Sequence, residues 1–184
     1  GVGVGPSLTR LGGFFVRFIC GGAKQICVRD IPSKEILLSL GVEASRIQVT
    51  ADLAICLELE AIEETHKLKA QSLVPDNGKV RIGIHFSISE GNEQEVRQFA
   101  LSVGMLADQS DIDVFWFFDH AENNLSTIED IVKGHQNYYL LRKEDHWTTA
   151  AIIGQFDAVV TTKLHVGIVA YALGAIPFGI SSHG

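Results

Sequence analysis

"FDAVVTTKLHVGIVAYALGAIPFGI", residues 156–180, decides the fold. FDAVVTT (156–162) is short and rich in β-branched residues, as strands are. Residues 164–173 form an apolar run long enough for a buried helix. Gly174 ends that run, and IPFGI (176–180) is a strand again. A strand, a helix and a strand in alternation argue for an α/β fold with parallel strands. Between Ala158 and Ser182 the only Lys, Arg, His, Asp or Glu are Lys163 and His165, both where the strand hands over to the helix.

The same rhythm extends backwards. VRIGIHFS (80–87) predicts a strand and residues 92–108 a helix with Val96, Phe99, Ala100 and Val103 on one face. IDVFWFF (112–118) is nearly continuous apolar, as a strand covered on both faces should be. A helix follows Ser126, then a strand over 137–141 and a helix over 145–154. Residues 80–180 thus predict five strands and four helices, a doubly wound domain. Asn124-Leu125-Ser126 matches a glycosylation sequon, but Ser126 with Glu129 reads better as a capping box.

The first part repeats the alternation. GVGVGP (1–6) ends a strand, FFVRFIC (14–20) has helical spacing, and KQICVRD (24–30) is a strand. PSKEILLSLGV (32–42) is a helix with Pro early and Gly41 after its end. RIQVTAD (46–52) is a strand, and 58–70 an amphipathic helix with Glu63 and Lys67 paired. VPDNGK (74–79) collects Pro, Asp, Asn and Gly and is the expected linker. Residues 1–73 then form the latter part of a first Rossmann-like domain and 80–184 a second. The chain opens on Gly without Met and stops just after a predicted strand, so a fragment is expected.

Composition narrows the function classes. The chain has 184 residues, 46% hydrophobic and 20% charged, enough to bury a core. Its net charge is −7 with no long basic run, which argues against a nucleic-acid partner. Cys20, Cys27 and Cys56 are an odd number without a CxxC motif, fitting a reducing, cytoplasmic setting and no structural zinc. The stretch Val166–Ile180 is broken by Gly174 and Pro177 and is no membrane span.

Open parallel sheets bind ligands beyond the carboxyl ends of their strands. That rule nominates Gly5 and Pro6, Arg29 and Asp30, Asp52, His85, Asp119 and His120, Lys163 and His165, and Ser181 to His183. GVGVGP fails the dinucleotide pattern, because Pro6 and Leu8 stand where glycine is required. A tight turn and a close approach of backbone to a ligand both remain open there. Asp30 reads first as a helix cap paired with Arg29, although an arginine fork also suits phosphate or carboxylate. Asp52 has the same double reading, as the end of its strand or as part of a site. At Lys163 the helix start adds its own partial positive charge, with Thr161 or Thr162 as cap. Histidine at 165 can exchange a proton near neutrality. Together the two suit an anionic ligand, which would offset the cost of placing them in apolar surroundings. His66, His135 and His146 are expected on solvated faces, and Trp116 and Phe117 in the core.

The blocks GVGVGP…LGGFFVRFI…AKQICVRDIPSKEILLSLGV…IQVTADLA and FDAVVTTKLHVGIVAYALGAIPFGIS resemble the polysaccharide pyruvyl transferases. The match covers residues 1–54 and 156–181. The resemblance implies a two-domain fold like that of the GT-B glycosyltransferases, with a cleft between Rossmann-like domains. It also implies transfer of a pyruvyl group from phosphoenolpyruvate to a sugar, leaving a ketal, with no cofactor and no metal. By position, His165 would be catalytic. Arg29, Lys163, Leu164, Gly5, Asp52 and His85 would bind substrate. Lys163 stands where the family's Arg-Leu-His signature has Arg. The implied acceptor is a glycan or lipid-linked sugar, giving peripheral contact with the cytoplasmic membrane face through that acceptor. A nucleotide-sugar glycosyltransferase and a non-catalytic relative with a vestigial site are the alternatives. The former would want an acidic residue for the ribose near the last strands, and residues 158–182 hold none.

Overall fold

The computed structural model describes residues 2–5, 9–86, 91–118 and 125–180. Pro6, Asp119, His120 and Ser181 to His183, nominated above, lie outside the described residues. The chain forms two compact units, Gly1–Ile55 and Cys56–Gly184.

In the first unit, α1 (Arg10–Gly22) precedes β1 (Ile26–Val28), α2 (Ile31–Ser39) and β2 (Ile47–Val49). β1 and β2 are parallel, and Val2 bridges Val28 on the other side. The predicted helix–strand–helix–strand order is present, while the strand expected at residues 1–6 is represented by the single bridge of Val2. Asp30 caps α2 by accepting the Ser33 N–H at 2.8 Å, and Pro32 fills the first turn. Past the helix end, Gly41 takes φ +81°, and the N–H groups of Gly41 and Val42 bond back to Leu38 and Leu37. Val28, Leu37, Val42 and Ile47 form a small core.

The second unit adds α3 (Glu64–Leu73), β3 (Val80–His85), α4 (Glu93–Gln109), β4 (Ile112–Trp116) and α5 (Leu125–Lys133). It continues with β5 (Tyr138–Leu140), α6 (His146–Ile153), β6 (Ala158–Thr161), α7 (Leu164–Ala172) and β7 (Ile176–Gly179). All five strands are parallel, in the order β5-β4-β3-β6-β7. The five strands and four intervening helices predicted for 80–180 are all present.

The apolar run of β4 explains the two-sided core. Phe115 and Phe117 join a cluster with α3, α6 and α7 residues, including Ala70, Ile152 and Ala170. Val114, Trp116 and Phe118 join the opposite cluster with α4 and α5 residues, including Ala100 and Ile128. Strand period places alternate residues on opposite faces, so both faces need apolar side chains. The buried Trp116 indole donates to the Tyr138 hydroxyl, which donates to the Ala100 carbonyl at 3.1 Å. Burial pushes the Tyr138 phenol pKa well above its ordinary value.

Several expectations differ from the structure. The first unit ends at Ile55, not near residue 73, because Ile62, Ala70 and Val74 are buried in the core of the second. Residues 74–79 are a turn feeding β3 within that unit: Asn77 donates to Asp113, and Lys79 to Asn137. Gly78 there has φ +81°. The helix expected at 58–70 divides into a 3₁₀ turn at Leu59–Ala61 and α3 at Glu64–Leu73. Glu63 sits at the cap, and Lys67 meets Glu64 instead, at 3.8 Å. Ser126 lies inside α5 and not at its cap, and Glu129 pairs with Arg142.

Gly83 in β3 faces the Phe156 ring, and a Cβ there would stand 2.4 Å from Cδ2. Phe156 itself packs on the rings of Phe115 and Phe117 at 5.7 and 5.4 Å and has little room to retreat. Gly83→Ala should lower stability by about 1–3 kcal/mol, the usual cost of overpacking. Urea unfolding followed by tryptophan fluorescence would measure it.

Candidate functional site

β3 and β6 lie side by side at the centre of the five-stranded sheet, in register His85 with Thr161. From β3 the chain winds through β4 to β5 on one side. It then crosses to β6 and β7 on the other. Strand order therefore reverses between β3 and β6, and the carboxyl ends of these two strands flank the crevice where doubly wound sheets bind ligands. His85, Thr161, Lys163 and the start of α7 are all placed there by backbone topology.

Side-chain contacts tie this corner together. The Thr161 hydroxyl oxygen accepts the Lys163 N–H at 3.0 Å and lies 3.3 Å from Nδ1 of the buried His85. The His85 ring packs against Phe117 at 5.2 Å, and its carbonyl accepts the Thr162 N–H. The threonine expected to cap α7 thus holds the residue in the cap position, Lys163, rather than an N–H of the first turn. No side chain of Lys163 caps the helix. Helix period decides what α7 shows: Val166 and Ala170 are buried, while Leu164 is 58% exposed and His165 is exposed. Lys163 is half-buried. The expectation of two basic groups sunk in apolar surroundings is corrected in this respect: the apolar stretch buries one helix face, and His165 is on the other.

His165 borders a groove of about 180 Å³ between α6 and α7. Its other walls are His146, Thr149, Ala150, Ile153, Val166 and Val169. His146 was expected on a solvated face and is exposed, but sequence spacing gave no sign that it would share a groove with His165. The start of α6 is built firmly. Asp145 accepts the Trp147 and Thr148 N–H groups at 3.0 Å and the Thr148 hydroxyl at 2.7 Å. Nδ1 of His66 lies 2.8 Å from that hydroxyl and 3.5 Å from Asp145. His135 is similarly engaged with Asp108, so neither histidine is merely solvated.

In the first unit, Arg29 follows β1. Its Nε donates to Asp30 at 3.1 Å and its Nη1 to Asp52 at 3.4 Å. Asp52 also accepts the Ala54 N–H. The guanidinium lies against Gly3, where a Cβ would stand 2.7 Å from Cζ, so glycine is needed for this packing. Val4, beside Gly5, donates its N–H to Ser33. Nothing crowds Gly5: a Cβ there would meet no atom within 4 Å. The sequence nominations Arg29 and Asp52 therefore belong to one strand-end cluster, Gly5 makes no contact with it, and His85, Lys163, Leu164 and His165 stand at another strand end in the second unit.

Among the described residues, no group of three or more His, Cys, Asp or Glu could hold a metal ion, and no helix is long and apolar enough to cross a membrane.

A model of the polysaccharide pyruvyl transferase family matches residues 1–184. No curated protein matches the sequence. Among solved structures, UDP-GlcNAc 2-epimerase from Neisseria meningitidis, bound to UDP-GlcNAc, is similar with a TM-score of 0.65 and 16% identity. The similarity covers 88% of this chain and 45% of that one. UDP-GlcNAc 2-epimerase from Methanocaldococcus jannaschii gives a TM-score of 0.69 at 12% identity, covering 86% and 46%. An enzyme from Listeria monocytogenes described as a putative UDP-N-acetylglucosamine 2-epimerase gives 0.65 at 18%, covering 91% and 43%. At such identity the likeness is one of fold: parallel, Rossmann-like α/β architecture of the GT-B-like kind. The chain spans less than half the length of these structures.

The Thr148 hydroxyl, then the Thr148 and Trp147 N–H groups, hold the Asp145 carboxyl down to about pKa 2. A depressed carboxylate stabilises the fold fully above its ordinary pKa of 3.8 and loses that contribution as pH falls towards 2. Asp145→Ala should therefore cost about 1 kcal/mol at neutral pH, as lost helix caps do. The difference from the parent should shrink between pH 4 and 2. Urea midpoints measured across that range would check both the sign and the window.

Proposed function

The chain belongs to the polysaccharide pyruvyl transferase family, and on that premise we propose that it transfers a pyruvyl group from phosphoenolpyruvate to a sugar of a surface-polysaccharide precursor, forming a ketal. The observation that carries this reading is the position of His165. It is exposed in the first turn of α7, two residues after Lys163, at the reversal of strand order. A proton donor, a cation and a helix N-terminus converge where an anionic substrate would dock.

The donor has a carboxylate, a phosphate ester and an electron-rich methylene carbon. Lys163 and the start of α7 hold its negative charge, and Leu164 borders it. His165 gives a proton to the methylene carbon, which becomes the methyl group. The central carbon takes on oxocarbenium character and is attacked by one sugar hydroxyl, whose proton returns to His165. Phosphate then leaves with the C–O bonding pair. A second hydroxyl closes the ketal and gives its proton to phosphate. The products are the ketal and inorganic phosphate, and the histidine ends as it began. Arg29, in the first unit, has the planar fork that suits a phosphate or a carboxylate. Phosphate would compete there with Asp52, whose contact at 3.4 Å is longer than that of Asp30 at 3.1 Å. Asp52 lines that cation, and buried His85 fixes Thr161 beneath Lys163. The acceptor is a glycan or a lipid-linked sugar, handled at the cytoplasmic face of the membrane.

Lysine at 163 supplies a point charge where an arginine would offer a planar fork. Lys163→Ala should raise the KM for phosphoenolpyruvate roughly 10–100-fold, the worth of one charged hydrogen bond. Lys163→Arg should bind the donor at least as well as the parent.

The full-length protein would be incubated with phosphoenolpyruvate and candidate glycans while phosphate release and the ketal methyl resonance are followed. His165→Ala should lower turnover by about 10²-fold or more. Because the side chain is exposed, the fold should change by less than about 0.5 kcal/mol. Unchanged turnover in a folded His165→Ala variant would reject the assignment. Consumption of a UDP-sugar with no use of phosphoenolpyruvate would reject the reaction class.

A further inference from the structure

Thr148 and Thr149 stand side by side near the start of α6, and only one of them is spent on the fold. The Thr148 hydroxyl donates to Asp145 at 2.7 Å. Its one proton is used there, so in the 2.8 Å contact with Nδ1 of His66 the imidazole is the donor. Thr149 is only 8% exposed, yet among the described residues its hydroxyl makes no hydrogen bond. Buried hydroxyls are ordinarily paired, and Thr149 lines the groove that His165 borders. His146, three residues earlier on the same wall, meets the Trp147 ring at 5.3 Å and also makes no hydrogen bond among the described residues. Aliphatic side chains of α6 and α7 complete the lining, which includes no Lys, Arg, Asp or Glu among the described residues. Such a groove is poor for the donor, whose phosphate and carboxylate call for formal cations. It suits a neutral ring with C–H faces and hydroxyl edges, as a pyranose has. Its volume of about 180 Å³ is below that of pockets that enclose a drug-sized ligand, so it takes one ring of a longer glycan.

We propose that the groove between α6 and α7 seats the sugar ring that receives the pyruvyl group, with His146 and Thr149 as the residues that select it. The inference rests on the transfer chemistry proposed above and locates its second substrate. His165 takes the proton of the attacking hydroxyl, so that hydroxyl has to lie at the groove edge His165 forms. The ring lays its C–H face on the aliphatic side chains, and its other hydroxyls reach His146 and Thr149. The wall that receives it is braced: Asp145 caps α6, His66 of α3 holds Thr148, and Lys69 of α3 pairs with Glu144.

Steady-state kinetics of the full-length protein, with phosphoenolpyruvate and the acceptor varied in turn, test the assignment. Thr149→Val keeps the shape and removes only the hydroxyl, and His146→Ala changes an exposed side chain. Circular dichroism would verify that both are folded. Each should raise the acceptor KM about 3–10-fold, the worth of one hydrogen bond, and leave the phosphoenolpyruvate KM within about twofold of the parent. Methyl resonances add a readout that needs no turnover. Methyl glycosides of glucose, galactose, mannose and N-acetylglucosamine would be titrated in turn. One of them should shift the Ile153, Val166 and Val169 methyl signals of the parent, and bind Thr149→Val about 3–10-fold more weakly. An acceptor KM that neither variant changes would overturn the proposal, as would a rise in the phosphoenolpyruvate KM instead. If Thr149→Val does not fold, His146→Ala decides the outcome. If the parent does not consume phosphoenolpyruvate, the transfer reaction falls and the methyl titration decides the groove. Sugar binding there that weakens in the variants upholds a sugar site, and unshifted methyl signals overturn it.

Discussion

Parallel pairing of β3 with β6 is the constraint on which the second unit depends. It joins the first strand of that unit to one almost eighty residues later, and every other strand is added outward from this pair. It also fixes which side chains meet at the sheet's carboxyl edge. With His85 opposite Thr161, the next residues must leave the sheet together. Thr162 donates to the His85 carbonyl and Lys163 to the Thr161 hydroxyl. The direction in which α7 departs is set by those bonds. A one-residue slip would exchange the two faces of β6 and place a valine where the hydroxyl now bonds. The site and the core are thus fixed by the same register.

The same physics explains what could be read in advance. Each strand of the second unit is a short apolar run, and each helix is bounded by residues with plain local preferences. Gly174 takes φ +91° between α7 and β7, and Asp145 caps α6. Local signals of this kind survive folding because tertiary packing agrees with them. The boundary between units was harder to read because Pro, Asn and Gly mark a turn whether or not a domain ends there. Only the burial of Ile62 and Ala70 assigns residues 56–73 to the second unit, and burial against distant α6 leaves no local trace.

The site divides along similar lines. Strand ends and helix starts could be located from sequence, so His85, Lys163 and His165 were nominated together, and the sheet brings them to one corner. What each side chain does there depends on helix phase and on partners far away in the chain. Phase puts His165 outside and Val166 inside. Partners make His85 a buried support for Thr161, and they gather His146 and Thr149 beside His165, although nothing in their spacing suggested a groove. Arg29 was correctly paired with Asp30, while its reach to Asp52 required the parallel pairing of β1 with β2.

An exposed histidine is better suited than a buried one to the chemistry proposed here. A proton carrier must be charged before transfer and neutral after it. A buried imidazole bears a desolvation penalty in its charged state. His165 lies exposed on the outer face of α7, where the donor proposed here would bring its own negative charge. The cost of exclusion from water would then fall on an ion pair rather than on a lone cation. Lys163 sits half-buried at the cap position, with its backbone already fixed by Thr161. Ala150, Ile153, Val166 and Val169 give the groove beside His165 an apolar wall, while His165 itself stays exposed at its edge.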